Sequence, residues 1–137
     1  MTIRQDGPGA TDQVLLAGGL FSRDWFLFLK DDRWKEASEQ TITNGALVSV
    51  AHGLSTTPNE VLGYLICKTA ELGFSISDRV ALPVFEDATD YGIQLTWDST
   101  NISFTTGADG VRLMNKSTGV IAAITNASWR VVLRARP

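Results

Sequence analysis

From residue 46 to residue 69 the chain runs ALVSVAHGLSTTPNEVLGYLICKT, and its apolar positions fall in two blocks. The first, residues 46–51, is short and valine-containing. The second, residues 61–69, alternates, with Val61, Gly63, Leu65 and Cys67 on one side and Leu62, Tyr64, Ile66 and Lys68 on the other. Strand side chains point to opposite faces in turn, so apolar residues in both registers predict a central strand covered on both faces. Between the blocks, His52, Gly53, Ser55, Thr56, Thr57, Pro58 and Asn59 gather the residue types that turn a backbone.

The remainder continues in strand and turn. Residues 79–86 form an apolar stretch interrupted at Pro83, which suits an edge strand. Ile93, Leu95 and Trp97 alternate with Gln94 and Thr96, a half-buried strand whose Trp97 is assigned to the core. Ile102 and Phe104 face inward on the next, and residues 111–114 and 120–125 add two short strands. In the last, Trp129, Val131, Leu133 and Ala135 oppose Arg130, Val132, Arg134 and Arg136. Roughly seven or eight short strands at close turn spacing predict an all-β fold, a β-sandwich or jelly-roll-like domain over residues 41–137. Its expected buried residues are Leu65, Cys67, Ile93, Leu95, Phe104, Ile124, Val131 and Leu133. No fixed-period repeat points to a propeller or solenoid.

Residues 1–40 differ in kind. Gly7, Pro8, Gly9, Gly18 and Gly19 predict an extended arm. Ser22 then suits a helix N-cap, Asp24 suits the first turn, and a short helix is expected to continue through Trp34 towards Glu36. Trp25, Phe26, Leu27, Phe28 and Leu29 are consecutive, and one helix face cannot take them all. Each large apolar side chain left in water forgoes roughly 1.5–3 kcal/mol. Trp25, Phe26, Phe28, Leu29 and Trp34 are therefore the expected anchor to a second surface.

At 137 residues with 44% hydrophobic content the chain can bury a core without metal or disulfide. A net charge of −3 argues against nucleic-acid binding, and no apolar run approaches a membrane span. No signal peptide pattern opens the sequence, so a reducing compartment is expected, with Cys67 as a buried, inert thiol. Between residues 71 and 109 the acids Glu71, Asp78, Glu86, Asp87, Asp90, Asp98 and Asp109 face one base, Arg79. After Asp109 only bases remain. Either these segments neutralise each other within one fold, or Arg130, Arg134 and Arg136 contact the acidic face of a neighbouring subunit. Apolar strand faces and segregated charge together predict a homo-oligomer, a trimer first.

The candidates for chemistry are few. His52 stands alone in a turn, and near Ser49 and Ser55 nothing resembles a nucleophile elbow. One histidine and one cysteine do not make a zinc site. Asp87 with Asp90, or Asp98 with Asp109, offer paired carboxylates, but loop aspartates ordinarily form turns. No cofactor-binding motif is present. Asn101, Asn115 and Asn126 open glycosylation sequons expected to be chance matches. Tyr91, Trp97 and Phe85 could form a sugar platform if exposed, and a hydrolase or lyase would need His52 in a pocket beside an acid.

Residues 21–28 (FSRDWFLF), His52-Gly53-Leu54 with Pro58, residues 65–75 (LICKTAELGFS) and Trp129 together resemble small structural proteins of tailed bacteriophages. That resemblance implies an N-terminal anchor ahead of a compact, commonly trimeric β-sandwich, serving as a tail-fibre piece, head fibre or capsid decoration. It implies no enzymatic activity, partners among tail, connector or capsid proteins, a possible host-surface glycan, and residence in a virion assembled in the host cytoplasm. The alternative from the residues alone is a carbohydrate-binding β-sandwich, which requires Tyr91 or Trp97 to be exposed.

Overall fold

The computed structural model describes residues 34–82, 84–85 and 89–137. Among the described residues ten strands follow in order: β1 Lys35–Glu36, β2 Leu47–Ala51, β3 Glu60–Cys67, β4 Arg79–Ala81, β5 Val84–Phe85, β6 Gly92–Trp97, β7 Asn101–Thr106, β8 Arg112–Met114, β9 Ile121–Ala123 and β10 Trp129–Arg136. One sheet has the order β1-β10-β3-β4 and a second β2-β7-β6-β5, while β8 and β9 form a ribbon. The fold is all-β, as the alternating patterns predict.

The two blocks that dominate the sequence pattern lie in different sheets. Residues 52–59 thus carry the chain from one sheet to the other and do not close a hairpin. The stretch interrupted at Pro83 also divides, β4 ending one sheet and β5 the other. β3 is interior, as expected for a strand apolar on both faces. The core draws on every layer: Leu65 and Cys67 from β3, Ile93 from β6, Ile102 and Phe104 from β7, Leu113 from β8, and Trp129, Val131 and Leu133 from β10. Leu95 and Ile124 pack against this cluster but are only partly buried. Gly63 permits the crowding at β3. A Cβ there would lie 2.9 Å from Leu82 Cδ1, 3.0 Å from Leu133 Cδ2 and 3.3 Å from Leu95 Cδ1, so leucines from both sheets occupy the space.

Two expectations change. Lys35–Glu36 is a strand and not the end of a helix, paired with Ala135 and Arg134 of β10. The amide of Ala37 donates to Leu133 O at 2.9 Å, and Gln40 and Val131 exchange backbone bonds at 2.8 and 2.9 Å. This ladder satisfies backbone groups that a fraying helix end would leave to water. Strand pairing thus begins ahead of residue 41. Trp97 is not core: it is 45% exposed. Alternation puts it on the inward side of β6, but it is the last residue of that strand, at the turn. The arm, the rest of the expected helix, and with them Trp25, Phe26, Phe28 and Leu29, lie outside the described residues.

Candidate functional site

The groups most suited to chemistry are engaged in holding the backbone. His52 is only 5% exposed. Its Nδ1 accepts the Leu54 amide at 3.0 Å, which fixes the tautomer, so Nε2–H donates to Asp98 O at 3.1 Å. Both nitrogens are spent on fastening residues 52–54 to the turn after β6. Cys67 is free and buried, its thiol directed at Thr69 O at 3.1 Å.

The loop acids behave likewise. Asp98 Oδ1 accepts the amides of Thr100 and Asn101 at 2.8 and 2.7 Å, closing the β6–β7 turn. Those bonds, from Asn101 first and then Thr100, hold its carboxyl below the ordinary aspartate value. Asp78 Oδ2 accepts from Lys116 Nζ at 2.8 Å and from the Ser75 amide at 3.0 Å, which lowers its carboxyl in the same way. Asp87 lies outside the described residues, as does the side chain of Phe85. Among the described residues no three His, Cys, Asp or Glu side chains gather as a metal site. Two of the sequon asparagines also serve turns and loops. Asn115 Oδ1 accepts the amides of Ser117 and Thr118, and Asn126 Nδ2 donates to Asn44 Oδ1 at 2.7 Å.

One constellation has no counterpart in the sequence reading. Leu72 and Gly73 both take left-handed backbone, φ 52° and 78°, the signature of a type I′ turn, and the Phe74 amide returns to Glu71 O at 2.9 Å. The turn presents Glu71 and Phe74 together to Trp129. Glu71 Oε1 accepts the indole Nε1–H at 2.6 Å and the Thr125 amide at 2.8 Å. The Phe74 ring meets Trp129 edge-on, with centroids 5.3 Å apart. A lone acid ahead of a Leu-Gly turn would have been the available signal, but its partner lies far along the chain.

The candidate charge contacts all have partners within the chain. Arg134 Nε lies 3.3 Å from Glu36. Arg130 Nη1 donates to Trp129 O and Ala127 O at 2.7 and 3.1 Å. The Arg136 guanidinium lies 5.1 Å from the centre of the Trp34 ring.

Two surface features remain. A cleft of about 530 Å³ is lined by Thr89, Asp90, Tyr91, Gln94, Thr105 and Ala108. Tyr91 is half-buried, and Arg112 covers one face of its ring at 4.4 Å. The second feature is the side of β2 that pairs with no other strand among the described residues. Ala46 O accepts from Thr106 and the His52 amide donates to Thr100 O, with Val48 opposite Phe104 and Val50 opposite Ile102. The even positions therefore bond β7, and Leu47, Ser49 and Ala51 direct their backbone N–H and C=O groups away from it. No protein-family model and no curated protein matches the chain.

Proposed function

We propose that this chain is a non-enzymatic structural protein that acts by self-association, as an appendage of the tail or head of a bacteriophage particle. In this reading its two four-stranded sheets stack as a β-sandwich, and Trp25, Phe26, Phe28, Leu29 and Trp34 anchor it to a tail, connector or capsid protein. The observation that carries the reading is the way side chains are used. His52, Cys67, Asp78 and Asp98 are committed to the fold, whereas Leu47, Met114, Val120 and Ile121, each more than half exposed, stand on the surface. Apolar side chains presented in this way favour contact with another protein. The phage assignment comes from the resemblance in sequence. Light scattering of the full chain at micromolar concentration should give an oligomer, its copy number deciding between the trimer that the resemblance implies and a two-fold dimer. A monomer there would remove self-association. Changing Trp25 and Phe28 together to alanine should leave the β domain folded and abolish incorporation into particles. Normal copy number in virions would remove the anchor.

A second reading has one specific observation in its favour. Trp97 is exposed, as a carbohydrate-binding module requires. Trp97→Ala would then abolish the fluorescence response to a bound glycan, and a panel of glycans that leaves wild-type emission unchanged would dismiss this reading.

A further inference from the structure

The geometry points to the edge of β2, unpaired among the described residues, as the contact between two copies of this chain, paired antiparallel about Ser49. This inference rests on the self-association reading and names the surface that carries it.

The other sheet edges are guarded or short. β1 is two residues, both charged, β4 is three residues and begins with Arg79, and β5 is two residues. β2 is five residues long, Leu47-Val48-Ser49-Val50-Ala51, without charge or proline. An uncharged edge of this length is a template for another strand, and soluble proteins ordinarily block such edges with lysine, proline or a bulge. Leu47, at its start, is 63% exposed.

The edge is also self-complementary. Leu47, Ser49 and Ala51 offer the unused backbone groups, so an antiparallel copy engages through those three. Ser49 then meets its own counterpart and Leu47 meets Ala51, twice, a large side chain over a small one. Each opposed pair exchanges both of its backbone bonds. The strand ends agree with this register. Gly45 and Gly53 flank Ser49 at equal distance, and both have left-handed backbone, φ 69° and 67°. A Cβ on Gly53 would meet nothing within 4 Å. In the two-fold pair each Gly45 lies opposite a Gly53, so the chain turns away at both ends without a side chain in the way. A different partner strand would have no reason to share this symmetry. The Ser49 hydroxyl is held by the Ser103 hydroxyl at 2.7 Å, on the same sheet face as Leu47 and Ala51. The pairing would make the four-stranded sheet continuous across the two copies.

The test is cysteine cross-linking of the full chain together with sedimentation. Directly opposed Ser49 residues would have Cα atoms about 5.5 Å apart, within the span of a disulfide. Two copies of Leu47 would be displaced by roughly 13 Å along the strand, too far for one. Ser49→Cys should give a covalent dimer under mild oxidation and Leu47→Cys should not, while buried Cys67 contributes little background. A mixture of Leu47→Cys and Ala51→Cys proteins should cross-link between the two, which keeps the test available if Ser49→Cys fails to fold. Ser49→Lys sets two ammonium groups face to face and should weaken the dimer by roughly tenfold or more. A wild-type trimer would overturn this pairing and leave self-association standing, whereas a monomer would overturn both. A dimer in which neither the Ser49→Cys protein nor the mixture cross-links, or in which Leu47→Cys cross-links as well as Ser49→Cys, would also overturn it.

Discussion

Removing the carboxylate of Glu71 should destabilise the fold more than any other single change to an acid. Trp129 is fully buried, and its indole N–H has Glu71 Oε1 as its hydrogen-bond partner at 2.6 Å. Glu71→Ala deprives that buried donor of the acceptor it has in the wild-type chain. An orphaned buried donor costs about 1–3 kcal/mol, and the lost bond is a charge-assisted one. The Thr125 amide also loses its acceptor, but Thr125 is exposed and can turn to water. The expected loss is therefore about 2–3 kcal/mol. Glu71→Gln keeps an oxygen acceptor and loses only the charge, so it should cost about 1 kcal/mol or less.

Urea unfolding of the full chain, followed by far-ultraviolet circular dichroism so that Trp129 can itself be changed, measures these values. With a slope of roughly 1–2 kcal/mol per molar, Glu71→Ala should lower the midpoint by about 1–3 M. Trp129→Phe removes the donor, so in that background Glu71→Ala should cost at least about 1 kcal/mol less than in wild type. If Glu71→Ala lies within about 0.5 kcal/mol of wild type, or costs the same in both backgrounds, the indole–carboxylate bond does not carry the load assigned to it.

Three further outcomes follow from the geometry. Cys67 should react with a thiol reagent only as fast as the protein opens, because its sulfur is buried; full labelling within seconds under native conditions would contradict this placement. The carboxyl of Asp98 is held below its ordinary value by the Asn101 and Thr100 amides, so it stabilises fully above the unfolded-state value near ~4 and loses that contribution as pH falls through the lower folded-state value. Urea midpoints of Asp98→Asn should therefore decline less steeply than wild type below about pH 4, and identical acid limbs would refute the capping role. Gly73→Ala should cost about 2 kcal/mol or more, since φ is 78° there and a Cβ would lie 2.7 Å from Ser117 Oγ and 3.0 Å from the Ser117 backbone nitrogen; an unchanged melting temperature would show that the turn relaxes.

The strands were legible because their burial follows period two. Ile102, Phe104, Val131 and Leu133 are inward by alternation and buried in fact. Trp97 shares that periodicity and fails, because alternation assigns a face and not a depth, and a residue closing a strand can project past the core. Lys35 and Glu36 were illegible for a different reason. They join the sheet through backbone bonds to β10, a partner about a hundred positions away, and their side chains carry no apolar signal. The sheet assignment of β2 and β3 was hidden in the same way, since a turn-rich loop serves a hairpin and a crossover equally. Glu71 is the instructive case. In the sequence it is one acid of an acidic run, and only the left-handed pair Leu72 and Gly73 turns it inward to Trp129. Leucine at that φ is unfavourable by roughly 1–2 kcal/mol. Its side chain packs against the core, which offsets part of that cost.

Charge that is segregated along the sequence meets in space at Lys116 and Asp78. Lys116, from the basic C-terminal portion, sits 2.8 Å from Asp78 of the acidic segment, and Arg112 covers Tyr91 within that segment. Arg134 pairs with Glu36, which belongs to neither segment. Contacts of this kind inside one chain compete with electrostatic attraction between an acidic and a basic face. The other source of association is surface that one copy leaves incomplete. In β2 that surface is a row of backbone donors and acceptors beside an exposed leucine, and hydrogen bonds with apolar burial are screened far less by salt than ion pairs are. An assembly held by the β2 edge should accordingly persist at molar salt, while one held by Arg130, Arg134 and Arg136 against an acidic neighbour should dissociate. Sedimentation in low and in molar sodium chloride distinguishes the two, and dissociation at high salt would return the arginines to the interface.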